Sequence, residues 1–167
     1  MPVTELVDIE SVDLTQTAVE RDAIYEVLAH RHEMALLDSI CVFDPANGII
    51  VGYHDARDDE FWVRGHIPGR PLMPGVLMVE SAGQLCGYYF DKVTPASSDH
   101  FFGFAGLADV RFRGTVLPGQ RLVLAARPRK LRQTSGVFDT QGYVNGKVVY
   151  DGVIKGMVIP VGKHSQE

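Results

Sequence analysis

Apolar positions recur along this chain with two different periods, and the switch between them outlines its architecture. In Arg21–Ala29, Ile24, Val27 and Leu28 fall at helical spacing, which predicts a short amphipathic helix. Ala35–Phe43 and Ile49–His54 read as strands, with Pro45, Asn47 and Gly48 supplying the turn of a hairpin between them. From Val76 to Phe90 the chain is apolar with a single charge, Glu80, and predicts one long helix entered just after Pro74 and Gly75. Pro95, Ser97 and Ser98 mark a loop over residues 91–99. Strand-like segments follow at Phe101–Ala105, Leu107–Val116, Arg121–Leu131, Gly136–Val144 and Lys147–Val158. Pro118-Gly119, Thr134-Ser135-Gly136 and Asn145-Gly146 punctuate them, and Asn-Gly between two strands is a strong hairpin signal.

Helices set apart from a run of strands predict an α+β fold, with a curved antiparallel sheet packed on one central helix. Gly83 and Gly87 stand one turn apart on that helix, with Ala82 beside them, so a neighbouring element can approach closely. Apolar residues surround most of the helix. A single sheet does not cover a helix on all sides, so the pattern points to a dimer with the helix near the interface. The 167 residues suit one domain. Residues 1–18 are polar and mixed and are expected to form an extended or loosely attached arm, residues 19–160 the domain, and residues 161–167 a tail.

Composition narrows the classes. Apolar residues make up 46% and charged residues 22%, as in ordinary globular proteins. No uncharged apolar run approaches the roughly 20 residues needed to span a bilayer. The acidic N-terminus lacks the basic-then-apolar start of a signal peptide, so a cytoplasmic protein without membrane insertion is expected. Cys41 and Cys86, in apolar surroundings, are expected as buried free thiols. Residues 1–26 hold seven acidic residues and one basic, whereas residues 110–138 hold seven basic residues and no acidic one. The basic stretch reads either as solvated strand ends or as a patch for an acidic partner or a phosphate. No nucleic-acid motif accompanies it. His54-Asp55 with Asp58 and Asp59 fits no common metal-site spacing, and no metal is expected.

The chemistry concentrates in residues 65–76, Gly-His-Ile-Pro-Gly-Arg-Pro-Leu-Met-Pro-Gly-Val, where one histidine sits among three prolines and three glycines. Such a backbone follows a defined path without regular hydrogen bonding. A rigid loop carrying His66, feeding an apolar helix carrying Glu80, is a candidate acid/base pair. Burial of Glu80 among Val76, Leu77, Val79 and Leu85 is expected to raise its pKa. Which of the two acts as acid and which as base stays open. Gln84, one turn beyond Glu80, is either an orienter of its carboxylate or a buried polar residue bonded to backbone.

The segment from His66 to Val76 closely resembles the active-site motif of the 3-hydroxyacyl-acyl carrier protein dehydratases of the FabZ/FabA type. Leu28-Ala29-His30-Arg31 through Leu36-Leu37-Asp38, and Arg111-Phe112-Arg113 followed by Val116, Pro118 and Gly119, resemble further family motifs. The resemblance covers about residues 20–158, and a glutamate at position 80 resembles the FabZ branch. It implies a hotdog fold, in which the antiparallel sheet wraps one long helix. It also implies an obligate homodimer, often a trimer of dimers, with the histidine and the acid of each site on opposite subunits. His66 and Glu80 then dehydrate a 3-hydroxyacyl thioester. The backbone of Gly75 and Val76 receives the thioester oxygen, and Gln84 and His30 support the site, His30 equally suiting a structural role. No cofactor is implied beyond the phosphopantetheine of the substrate's carrier. That carrier, the acidic acyl carrier protein, is expected to dock on Arg111, Arg113 and Arg132. An acyl-coenzyme A thioesterase or hydratase on the same fold, and a non-catalytic lipid-binding paralogue, are the alternatives.

Overall fold

The computed structural model of the chain describes residues 3–94 and 99–162. Pro95, Ser97 and Ser98 of the expected loop, and the tail from residue 163, lie outside the described residues. Seven antiparallel strands form one sheet in the order β1-β2-β3-β5-β6-β7-β4. The strands are β1 Val19–Glu20, β2 Ser39–Asp44, β3 Ile49–Asp55, β4 His100–Phe112, β5 Arg121–Arg132, β6 Ser135–Val144 and β7 Lys147–Pro160. A short helix α1 (Arg21–Val27) follows β1, and the long helix α2 (Gly75–Val93) lies against the inner face of the sheet.

Helix α2 carries its buried side along most of its circumference, from Met78 through Leu85 and Cys86 to Phe90. Each large apolar side chain fully buried there contributes on the order of 1.5–3 kcal/mol. The expected close approach occurs at Gly83, where a Cβ would stand 2.5 Å from the Phe104 ring of β4; at Gly87 the nearest groups, Leu28 at 3.4 Å and Phe102 at 3.7 Å, are at ordinary contact distance. The Asn145-Gly146 hairpin forms with φ of 50° and 74°, the left-handed pair that a two-residue turn between twisted strands requires.

Two expected strands merge. Phe101–Ala105 and Leu107–Val116 are one strand, β4, and the break anticipated at Gly106 is a register shift between Phe104 and Gly106. The strand expected from Ala35 starts only at Ser39. The backbone of residues 34–37 is used elsewhere: Arg21 donates to the carbonyls of Ala35 and Leu37, and Gln84 bonds both Met34 and Leu36.

The N-terminal segment is tied down rather than loosely attached. Val7 and Ile9 are buried on the outer face of the sheet against Val51, Val123, Ala125 and Tyr143. Gln141 accepts from Leu6 N–H and donates to the Thr4 carbonyl, and Arg127 donates to the Leu6 carbonyl. Ile50 and Val51, adjacent in β3 and therefore on opposite faces, are both fully buried because helix and arm cover the two sides. At the other end of the sheet, β4 is an edge. It exposes Phe101, Phe104, Leu107 and Phe112, an apolar border that a lone chain leaves in water.

Candidate active site

The loop before α2 is shaped residue by residue. Ile67 and Gly69 adopt φ of 57° and 84°, and Arg70 N–H closes a turn onto the Ile67 carbonyl. His66 N–H bonds the Trp62 carbonyl, and Met73 N–H bonds the Val116 carbonyl, which anchors the loop to the connection between β4 and β5. His66 Nδ1 lies 2.7 Å from the Leu72 carbonyl oxygen. A carbonyl only accepts, so Nδ1 carries a proton, and in the neutral ring the lone pair lies on Nε2. His66 lines an apolar recess of about 370 Å³ together with Gly75, Val76, Met78 and Phe112.

Helix α2 starts at Gly75, and no side chain caps its N-terminus at Pro74. Its first N–H groups therefore have no capping side chain, and they carry the positive end of the helix dipole. A Cβ on Gly75 would stand 2.9 Å from the half-exposed Phe112 ring, which would have to shift to admit one.

Glu80 sits in a second cavity, of about 220 Å³, walled by Phe101, Phe102, Phe104, Ile154 and Ile159 and bordered by His30, Gly83 and Gln84. Oε1 of Glu80 receives two donors, Gln84 Nε2 at 3.0 Å and His30 Nε2 at 3.1 Å. The sequence expectation of a raised Glu80 pKa is overturned. The His30 contact holds the carboxyl below the ordinary glutamate range, Gln84 adds to the lowering, and burial pulls the other way without prevailing. Val76, expected to help bury the acid, is 69% exposed.

Gln84 is 1% exposed and fully bonded. Its Oε1 accepts from Leu36 N–H at 3.2 Å and from the Tyr25 hydroxyl at 2.8 Å, and its Nε2 donates to the Met34 carbonyl at 2.7 Å. Those backbone partners fix which end of the amide is oxygen, so the second Nε2 proton can only point at Glu80. The two readings of Gln84 are thus one: bonding to backbone is what aims it at the carboxylate. Tyr25, which accepts from Leu37 N–H while donating to Gln84, was not singled out from sequence. Burial pushes its phenol well up, so it stays a donor. Nothing in the helical period of α1 distinguishes its hydroxyl from a solvated one.

The structure therefore assembles two clusters. His66, Gly75 and Val76 share one recess, while Glu80, Gln84 and His30 share another, and the two recesses have no lining residue in common. The three candidate docking arginines do not form one patch. Arg113 is ion-paired with Asp151. Arg111 lies exposed at a groove it shares with Asp109, Asp139 and Asp151, and Arg132 is exposed at the far end of β5. On β7 their register positions fall at Asp151 and, through Ser135, at Met157. That separation is roughly 20 Å along the strand. Arg121 and Arg129 of the same basic stretch are paired with Asp55 and Asp139. Among the described residues, no group of three or more His, Cys, Asp or Glu could hold a metal ion, and no helix is long and apolar enough to cross a membrane.

Comparison with known proteins bears on this geometry. A model of the FabA-like domain matches residues 28–153. The 3-hydroxyacyl-(acyl-carrier-protein) dehydratase FabZ of Nitratidesulfovibrio vulgaris is 33% identical over 88% of this chain and 96% of its own length. The dehydratase of the same name from Clostridium tetani is 35% identical over 81% of this chain and 94% of its own. Among solved structures, the dehydratase heterocomplex ApeI:P of Xenorhabdus doucetiae superposes with a TM-score of 0.69 at 16% identity, covering 80% of this chain and 89% of that one. A mutant thioesterase of Pseudomonas aeruginosa superposes at 0.58 with 18% identity over 93% of this chain and 96% of that one. At such identities these superpositions speak for a shared fold.

Proposed function

The chain belongs to the FabA-like domain family and is a 3-hydroxyacyl-(acyl-carrier-protein) dehydratase, and we propose that it removes water by joining the His66 cluster of one protomer to the Glu80 cluster of another. The observation that carries the assignment is the contact of His66 Nδ1 with the Leu72 carbonyl oxygen. With Nδ1–H committed there, the neutral ring presents Nε2 as the base that takes the C2 proton of the substrate. As that proton leaves, negative charge grows on the thioester oxygen, and the backbone N–H groups at Gly75 and Val76 receive it.

Glu80 enters as a carboxylate. Both donors converge on Oε1, which leaves Oε2 to accept a hydrogen bond from the 3-hydroxyl and aim its C–O bond. With Glu80 ionised, the proton that converts the leaving hydroxide to water comes from the imidazolium formed on His66. The C2–H and C3–O bonds break, the C2=C3 bond and water form, and His66 returns to its starting state. The cavity beside Glu80, walled by Phe101, Phe102 and Phe104, takes the acyl chain.

Homodimerisation is part of this reading. A second copy would bring together two recesses that share no lining residue within one chain, and the apolar edge at β4 offers the surface for it. The test uses two variants. His66→Ala and Glu80→Gln should each reduce turnover of a 3-hydroxyacyl carrier-protein substrate by at least about a hundredfold. Mixing the two inactive proteins under subunit exchange should restore activity, because each mixed dimer holds one intact site. Lack of rescue in mixed dimers would refute the shared site, and release of free thiol without a new double bond would instead indicate a thioesterase.

A further inference from the structure

Helix α1 carries Arg21 and Tyr25 one turn apart, and both side chains reach residues 35–37. This short strip precedes β2 and pairs with no strand among the described residues. Side chains bind its backbone instead. Arg21 donates to the carbonyls of Ala35 at 2.7 Å and Leu37 at 3.0 Å, and its guanidinium lies over the Tyr25 ring. The ring of His54, buried in β3, has Nδ1 2.7 Å from the Leu36 carbonyl oxygen. Leu36 N–H goes to Gln84 Oε1 at 3.2 Å, and the N–H of the fully buried Leu37 goes to the Tyr25 hydroxyl at 2.7 Å. The strip is thus clamped between α1 and α2.

The direction of each proton in this clamp follows from its partners. A peptide N–H only donates, so the Tyr25 oxygen accepts from Leu37 and its own proton is left for Gln84 Oε1, 2.8 Å away. Gln84 Oε1 has two donors, and the Tyr25 bond is the shorter of the two. Without the hydroxyl, Leu37 N–H would be buried with no acceptor, and the strip would have to move to satisfy it. Leu36 N–H sits on the same strip and would move with it. Both donors on Gln84 Oε1 therefore depend on Tyr25, one directly and one through the strip. The bond from Nε2 to the Met34 carbonyl would remain, and about one bond an amide can turn. The second Nε2 proton is the one that reaches Glu80 at 3.0 Å.

We propose that Tyr25 is a positioning residue for the reaction: held by the Leu37 peptide, its hydroxyl locks the Gln84 amide and so aims the Glu80 carboxylate. Tyr25 does not line the cavity beside Glu80, so it acts through Gln84 and not on the substrate. The short helix α1 thereby gains a part in the chemistry that its apolar face does not explain. The proposal rests on the reading of Glu80 as half of the reacting pair.

Tyr25→Phe should lower kcat about tenfold and change KM by less than about twofold, as expected for lost alignment with binding kept. Donation from Gln84 helps to hold the Glu80 carboxyl below its ordinary range, so a loosened Gln84 lets it rise. Carbon spectra of glutamate-labelled protein should therefore place the Glu80 titration midpoint higher in Tyr25→Phe than in the wild type. In a Gln84→Met background, Tyr25→Phe should move neither kcat nor that midpoint further, because the two residues act in one chain. An unmoved midpoint in Tyr25→Phe, or equal losses of kcat in both backgrounds, overturns the proposal. If Tyr25→Phe does not fold, the wild type decides. Its Tyr25 hydroxyl proton should give a slowly exchanging resonance close to the Leu37 amide and the Gln84 side chain, and a freely exchanging hydroxyl refutes the lock. The carboxyl and hydroxyl readouts need no turnover. An absence of dehydration with every thioester would therefore count against the dehydratase reading while these readouts decide the role of Tyr25.

Discussion

At the scale of single residues, the acid of this site is governed by hydrogen bonds more than by burial. Desolvation acts on Glu80, but two N–H donors on one oxygen outweigh it, and the carboxylate is favoured. The sign follows for pH dependence. A carboxyl lowered in the folded chain stays ionised above its unfolded value and loses that form only as pH falls through the depressed one. His30 is the largest cause of the lowering. His30→Ala should therefore move the acidic limb of the kcat/KM profile to higher pH, while Gln84→Glu should lower kcat by setting a like charge against the carboxylate. A steady-state pH series checks both, and an unmoved acidic limb in His30→Ala would assign His30 a purely structural role.

At the scale of elements, the site depends on how β4 meets α2 and β7. Phe102 stacks on Phe90 at 4.5 Å between centroids and meets Phe138 edge-on at 6.0 Å. Gly156 of β7 makes room for it, since a Cβ there would stand 1.9 Å from the Phe102 ring. Phe104, by contrast, is 41% exposed and can swing away from a Cβ at Gly83. Gly156→Ala should therefore destabilise by about 1–3 kcal/mol through overpacking, and Gly83→Ala by distinctly less. Denaturant unfolding of the two variants checks the order. Because Phe102 walls the cavity beside Glu80, Gly156→Ala should also raise KM for longer acyl chains more than for short ones.

At the scale of the molecule, the charge asymmetry of the sequence largely cancels on folding. Arg113, Arg121 and Arg129 are neutralised by Asp151, Asp55 and Asp139, and Arg127 bonds backbone carbonyls, so an acidic carrier would have the exposed Arg111, Lys130 and Arg132 of that stretch to meet, with exposed Arg64 and Arg70 flanking His66. Arg132→Glu should raise KM for a carrier-bound substrate several-fold, more at low salt, and leave KM for a small thioester mimic unchanged. Asp151→Asn should have no such selectivity. Equal effects on both substrates would place Arg132 in structure rather than docking.

Local chemistry determined much of this protein. The long apolar run with Glu80, the Pro- and Gly-bound loop around His66 and the Asn145-Gly146 turn each specify their conformation through nearest neighbours, and sequence periodicity records such constraints directly. The partnerships between distant segments were decided only in the folded chain. Residues 35–37 look like the start of a strand, yet their backbone is taken by Arg21 and Gln84; residues 1–18 look like an extended or loosely attached arm, yet two buried apolar side chains and Gln141 hold its described part to the sheet. The ionisation of Glu80 and the burial of His54 belong to the same class, because desolvation and hydrogen bonding depend on which remote groups arrive within about 3 Å, and no periodicity along the chain encodes that arrival.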